Sequence, residues 1–267
     1  VSKQERWSKL LELLAVEGRI DVEEAAESVG VSPATIRRDL DGLAEQRMLV
    51  RTRGGAIAHG VSYELPLRYK SSRHASEKQR IAAAVVDLLG VGDVVGLNGG
   101  TTTTEVARAL ALQAGGSPPG EPWENSSGPA YTVVTNALNI AGELAVRPQF
   151  KIVVTGGVAR PQTYELVGPL TAGVLNEVVL DVAVLGVDGV DPQLGVMTHQ
   201  EDEAAISRLF TERARRVILA TDSSKMGRRA FARICGLDRV DVLVTDSGLS
   251  PDLAARLTEA GIEVVTV

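Results

Sequence analysis

Gly30-Val31-Ser32-Pro33-Ala34-Thr35-Ile36-Arg37-Arg38-Asp39-Leu40 reads as a tight turn followed by the opening of a helix. Gly30 supplies the turn, Ser32 the N-terminal cap, and Pro33 stands at the first helical position, where its missing N–H costs nothing. Ile36, Leu40 and Leu43 give this helix one apolar face. Upstream, Asp21 and Glu24 form a capping pair for a helix running to Val29. Before it, Trp7, Leu10, Leu11 and Leu14 mark another helix, ended by Gly18. Downstream, Leu49-Val50-Arg51-Thr52-Arg53 followed by Gly54-Gly55 reads as a strand and hairpin. Residues 1–59 are therefore expected to hold three helices and a hairpin, with two short helices joined by a glycine turn.

That arrangement is what a DNA reader of the helix-turn-helix type requires. The second helix lays its N-terminal turns in the major groove, where Ser32 and Thr35 approach phosphates and base edges while Arg37 and Arg38 supply reach. Arg51 and Arg53 on the hairpin would meet the backbone as a wing, adding affinity without sequence information. A small helical bundle with solvated arginines, such as a dimerisation module, fits the same spacing about equally well.

The charge balance runs against the DNA reading when taken whole: the 267 residues carry a net −6, whereas a nucleic-acid footprint is basic. Residues 1–30 hold Lys3, Arg6, Lys9 and Arg19 against seven acids, a net −3. Residues 31–59 hold five arginines against Asp39, Asp41 and Glu45, a net +2, so a locally basic surface fits inside an acidic protein. Aromatics are only 3%, which leaves the core to Val, Leu, Ile and Ala. The single Cys235 excludes an internal disulfide framework and fits a reducing cytosol. Three scattered His and one Cys offer no metal site, and apolar runs are broken well short of a membrane span. Charged residues punctuate the start, so no signal segment is expected and a cytoplasmic location is. Val1 fits either a GUG start codon, ordinarily translated as methionine, or a trimmed chain.

Residues 60–76, with Pro66 and a Ser-rich stretch, read as a linker. Beyond it, Val-rich strands at 94–97, 131–135, 151–155, 182–187, 217–221, 242–245 and 263–267 alternate with helices at 77–89, 101–113, 137–145, 201–214 and 251–260. Such continuous apolar strands indicate an α/β domain over 77–267 with a mainly parallel sheet covered on both faces. Residues 115–128, with three prolines, have the composition of a mobile surface loop.

The first of these strands runs into Asn98-Gly99-Gly100-Thr101-Thr102-Thr103 and then a helix. Glycines there let the backbone approach a ligand, and free N–H groups at the helix start make an anion site. The spacing is neither a P-loop nor a dinucleotide fingerprint, and no cofactor is expected. Asn136, Gly156-Gly157 and Asp188 each follow another strand, so they converge on one crevice at the carboxyl ends of the sheet. Lys225 offers the positive charge a sugar phosphate needs, or else is a solvated loop lysine or a partner to Asp222.

Ser32-Pro33-Ala34-Thr35-Ile36-Arg37-Arg38-Asp39-Leu40, followed by Arg53-Gly54-Gly55-Ala56, resembles the DNA-binding signature of the DeoR family of bacterial transcriptional regulators. The resemblance continues through Glu77-Lys78-Ile81-Ala82, Gly100-Thr101-Thr102, Thr135-Asn136, Gly156-Gly157 and Asp222-Ser223-Ser224-Lys225, in order along nearly the whole chain. It implies a winged helix-turn-helix joined to a sensor similar to ribose-5-phosphate isomerase-like folds. It also implies a repressor of carbohydrate catabolic genes that is modulated by a phosphorylated sugar without turning it over. Binding of operator DNA as a dimer or tetramer on repeated or palindromic half-sites is expected with it. The rival reading is a sugar-phosphate isomerase or deaminase-like enzyme, with Asp188, Asp191, Glu201 and Glu203 as possible general bases. Acids at these spacings are more often solvated or capping, and no catalytic residue is expected. The chain departs from the family pattern in three places. Asn98 stands where an Asp usually precedes the Gly-Thr pair, Ser207 stands where many members carry a basic residue, and the loop 115–128 is longer than typical.

Overall fold

A computed structural model of the chain describes residues 2–45, 48–57, 67, 74–115 and 128–267. The chain divides into two compact units, Val1–Arg73 and His74–Val267.

In the first unit, helices α1 (Lys3–Glu17), α2 (Val22–Val29) and α3 (Pro33–Glu45) pack around Trp7, Leu10, Leu11, Leu14, Ile36, Leu40 and Leu43. Ser2 and Glu5 close a capping box on α1, and Gly18 ends it in the left-handed region at φ 72°. Asp21 caps α2 through the amides of Glu23 (2.8 Å) and Glu24 (3.3 Å), and Gly30 ends that helix at φ 73°. The hairpin is a three-stranded sheet: β1 (Arg19–Asp21) and β2 (Val50–Arg51) flank β3 (Gly55–Ile57), all antiparallel. The expected single strand over 49–53 is therefore shorter, and Gly55 lies inside a strand instead of the turn. Strand β1 carries no sequence signal because three residues between two helices show no period of their own. The expected linker 60–76 lies mostly outside the described residues, and its last two residues belong to α4 (Ala75–Asp87), which begins two positions before the expected 77.

The second unit is built on a seven-stranded parallel sheet. Its strands are β4 (Val94–Leu97), β5 (Tyr131–Thr135), β6 (Phe150–Val154), β9 (Leu180–Leu185), β12 (Ala214–Ala220), β14 (Val242–Thr245) and β15 (Glu263–Thr266). They lie in the order β15-β14-β12-β9-β4-β5-β6. Alternate side chains feed two cores. Val95, Leu97, Val133, Val182, Val184 and Ile218 face α4, α5 (Thr101–Gly115) and α6 (Leu138–Leu144). On the other face, Val134, Ala183, Leu185, Val217 and Leu219 meet α7 (Pro169–Asn176), α8 (Glu201–Arg213) and α9 (Pro251–Glu259). Burial on both faces explains why the strands read as continuous apolar runs.

Two small sheets were not expected from the sequence. The hairpin β7 (Val158–Ala159) and β8 (Leu166–Val167) follows β6, and β10 (Gly189–Asp191), β11 (Gly195–Thr198) and β13 (Ala232–Cys235) form a second antiparallel sheet. Of the expected loop 115–128, Gly115 ends α5 and residues 116–127 lie outside the described residues. No helix among the described residues is long and apolar enough to cross a membrane.

Candidate functional site

The solvent side of α3 carries the residues expected to read DNA. Ile36, Asp39, Leu40 and Leu43 are buried, which leaves Ser32, Ala34, Arg37 and Arg38 exposed or partly exposed and Thr35 half-buried on the opposite face. The Thr35 amide donates to Ser32 Oγ (3.2 Å), and the two hydroxyls lie 2.9 Å apart, so Ser32 caps the helix as expected. Asp39 accepts from Arg6 Nε (2.7 Å), Arg6 Nη2 (3.2 Å) and Trp7 Nε1 (2.9 Å). This ties α1 to the back of α3 and removes one acid from the surface charge that the sequence count assigned to it. Arg37 reaches Glu23 on α2 (3.1 Å), with both side chains more than half exposed. Arg51 bonds Asp41 (2.7 Å) and the Gly55 carbonyl, which fixes the wing against α3. Arg38 and Arg53 are exposed.

In the sheet domain the chain runs outward from β4 to β5 and β6 on one side, then returns to β9 on the other side of β4. Such a reversal opens a crevice at the carboxyl ends of the two central strands. Asn98, at the end of β4, is 3% exposed. Its Nδ2 donates to the Gly186 carbonyl (2.9 Å) and to Ser207 Oγ (3.1 Å), while its Oδ1 accepts from the Gly186 amide (2.8 Å). Asn98 is thus a bolt between the ends of β4 and β9, with its amide committed to protein partners. Its contact also joins two of the departures from the family pattern, Asn98 and Ser207.

Gly99 donates its N–H to Glu165 Oε1 (3.0 Å), and a Cβ on Gly99 would lie 2.2 Å from Glu165 Cγ. Only glycine admits that carboxylate. Gly100 has φ 144°, and its carbonyl accepts from the Thr104 amide (3.1 Å), Thr104 Oγ1 (2.6 Å) and Thr103 Oγ1 (3.2 Å). The N–H groups of Thr101, Thr102 and Thr103 occupy the first turn of α5, where no intrahelical acceptor exists. Thr103 is fully buried, Thr102 nearly so and Thr101 half-buried. Asn136 donates through Nδ2 to the Leu166 carbonyl (3.1 Å) and to Glu165 Oε1 (3.3 Å), and its buried Oδ1 has no hydrogen-bond partner among the described residues.

Lys225 Nζ lies 3.5 Å from Asp188 Oδ1, so its partner is Asp188 and not Asp222, the partner offered as an alternative. Asp222 instead caps a short 3-10 turn, Ser223–Lys225, through the Ser224 amide (3.2 Å). Asp188 Oδ2 also accepts from Thr198 Oγ1 (2.9 Å) and the His199 amide (3.3 Å). Gly156 and Gly157 stand at φ 74° and 121°, and the Gly156 carbonyl accepts from Thr171 Oγ1 (2.8 Å). The structure therefore links the glycine turn to Asn136 through Glu165, pairs Asp188 with Lys225, and ties Gly156 to the start of α7.

Glu165 went unnoticed in the sequence because one acid in a short hairpin has no periodicity to reveal its burial. Among the acids considered as bases, Glu201 is exposed and Asp188 half-buried, but Glu203 and Asp191 are buried, contrary to the solvated reading. Glu203 Oε1 accepts from Thr163 Oγ1 (3.0 Å) and lies 3.2 Å from Arg160 Nε. The Arg229 guanidinium at 2.8 Å and the amides of Gln193 and Leu194 hold the Asp191 carboxyl down to about 2. No cluster of His, Cys, Asp and Glu among the described residues could hold a metal ion.

A winged helix-turn-helix joined to an α/β unit with a crevice at its strand ends defines a ligand-responsive transcriptional regulator. Residues 6–60 match the model of the DeoR-like helix-turn-helix domain, and residues 73–247 match that of the DeoR C terminal sensor domain. The chain belongs to the DeoR family of transcriptional regulators. It is 31% identical over 264 residues to the glycerol-3-phosphate regulon repressor of Escherichia coli (strain K12), covering 99% of each chain. It is 34% identical over 262 residues to the HTH-type transcriptional regulator GlpR of Haloferax volcanii, covering 98% of this chain and 96% of the other. Ribose 5-phosphate isomerase A from Methanocaldococcus jannaschii aligns with a TM-score of 0.41 and 16% identity over 57% of this chain and 55% of that one, too slight a likeness to bear on activity.

Proposed function

We propose that this regulator is a cytoplasmic repressor of carbohydrate catabolic genes whose grip on operator DNA is released by a phosphorylated sugar. The observation that carries the DNA half is the outward face of α3, where Ser32, Thr35, Arg37 and Arg38 stand clear of the core beside a wing bearing Arg51 and Arg53. The sensor half rests on the glycine turn at the switch point, with Asn98, Gly100, Thr101, Thr102, Thr103, Asn136, Gly156, Gly157, Asp188 and Lys225 as the effector residues. On this reading Asn98 and Thr103 shape the turn, and the amides of the first α5 turn meet the phosphate.

Residues 1–59 act as reader, 60–76 as linker and 77–267 as sensor. Two or four copies bind repeated or palindromic half-sites, since the few phosphate contacts of one reader give modest affinity alone. The effector shifts the paired readers by a coupling of about 1–3 kcal/mol. Titrating the protein against its own upstream DNA, with and without a panel of sugar phosphates, tests the reading. Sequence-selective binding that weakens with one phosphate is expected. Arg37→Ala or Arg38→Ala should cost about 1–3 kcal/mol on specific DNA if that arginine reads a base. An absence of sequence-selective retardation overturns the proposal, and turnover of the panel would favour the isomerase or deaminase reading.

A further inference from the structure

The hairpin of β7 and β8 lies over the ends of β5 and β4, and polar contacts hold it there. Each of its strands has two residues, too few to stand alone. Next to β8, Glu165 Oε1 accepts from the Gly99 amide at 3.0 Å and from Asn136 Nδ2 at 3.3 Å, and the Leu166 amide donates to the Asn136 carbonyl at 2.6 Å. Toward the tip, Thr163 Oγ1 donates to Glu203 on α8 at 3.0 Å, and Arg160 Nε lies 3.2 Å from the same carboxylate oxygen. Glu165 is 5% exposed. Its carboxylate rests on the amide two residues ahead of α5, at the positive end of a fifteen-residue helix. On the reading above, an incoming phosphate docks on the first-turn amides of α5, directly beside this carboxylate.

We propose that Glu165 is a built-in competitor for the effector's phosphate: it fills the glycine turn of the empty sensor, and a phosphorylated ligand displaces it and loosens the hairpin over 158–167. The proposal rests on reading the glycine turn as the phosphate site. The physical reason is simple. Two anions at one buried helix start repel unless a proton or a cation comes between them, so the ligand's charge drives the carboxylate away. Gly99 must be glycine for Glu165 to reach the amide at all, because a Cβ there would overlap Glu165 Cγ. The hairpin then reports occupancy of the crevice by a change in its own order. Most ligands protect the segment they touch, whereas this one should free it.

Hydrogen–deuterium exchange on the full-length protein, with inorganic phosphate, sn-glycerol 3-phosphate and ribose 5-phosphate as probes, tests this. In the wild type, amides of 158–167 should exchange several-fold faster when a probe binds. Glu165→Gln keeps the shape and the acceptor but removes the charge. It should bind the same probe about five- to tenfold tighter, the difference between a charged and a neutral hydrogen bond, and show little further change in the hairpin on binding. Thr163→Val loosens the tip without touching the Glu165 charge, so it should speed exchange there and tighten probe binding by less than Glu165→Gln does, which separates competition by charge from simple loosening. Slower or unchanged hairpin exchange in the wild type, or equal affinity of wild type and Glu165→Gln, overturns the competitor. Failure of both proteins to bind any probe overturns the phosphate reading itself, and the competitor with it.

Discussion

Asn98 and Ser207 are expected to be energetically coupled, and the coupling can be measured. Asn98→Asp keeps an acceptor for the Gly186 amide but places a carboxylate oxygen where Nδ2 donates to the Gly186 carbonyl at 2.9 Å and to Ser207 Oγ at 3.1 Å. Lone pair then faces lone pair at Gly186, in a side chain 3% exposed. The lost donor and the buried charge together should cost about 2–4 kcal/mol. Ser207→Lys alone forces an ammonium into a site 2% exposed, adding a desolvation cost and about 1–3 kcal/mol of overpacking. In the double variant the introduced carboxylate and ammonium meet across the same contact, so the combined loss should fall short of the sum by about 2 kcal/mol or more. Calorimetry of the four proteins should show a melting fall of about 5–15 °C for Asn98→Asp and, for the double variant, a fall smaller than the two single falls added together. Losses that add to within about 0.5 kcal/mol would refute the argument, because they would mean the two side chains do not sense each other. The same result bears on the family pattern, in which an Asp and a basic residue are expected at these two positions.

Two further outcomes follow from particular contacts. Gly55→Ala would put a Cβ 1.7 Å from the Ile20 carbonyl, a backbone atom that cannot move aside, so the three-stranded wing should open and DNA affinity should fall while the sheet domain keeps its melting temperature; retained affinity would show that the wing does not contribute. Asp191 titrates at about 2 instead of 3.8, so its share of stability is present in full above 3.8 and is lost as the pH falls toward 2. Removing the first cause with Arg229→Ala should raise that carboxyl toward 3.8 in an NMR titration, and an unchanged value would assign the shift to the Gln193 and Leu194 amides alone.

Much of the sheet was legible from the sequence because burial on both faces leaves long Val-rich runs. Strands 94–97, 131–135 and 242–245 fall where expected. Others differ at their ends because pairing, not hydropathy, sets the bounds. β12 begins at Ala214, before its apolar run, since Ala214 pairs with Leu180 and Arg216 with Val182. Within β12, Arg215 pairs with Asp181 on the neighbouring β9, and Arg216 reaches Glu263 on β15, two strands away. Short antiparallel pieces such as β1, β7 and β10 were not legible, as two or three residues carry no period.

Contiguous residues were enough to specify the order of the larger elements, the helix-turn-helix with its caps at Ser32 and Asp21, and the glycine turn at the head of α5, because each is a local pattern. The charge of the outward face of α3 was settled by three-dimensional packing. The sequence count over residues 31–59 sets Asp39 against the arginines, yet the fold buries it against Arg6 and Trp7, thirty-three and thirty-two positions away. The crevice is a similar case: Asn98 spends its amide on Gly186 and Ser207, Lys225 turns to Asp188, and Glu165 reaches Gly99 across sixty-six residues. Local pattern specifies which side chains are present at a strand end. Which of them remain available to a ligand depends on the partners that distant segments bring, and those are set by packing.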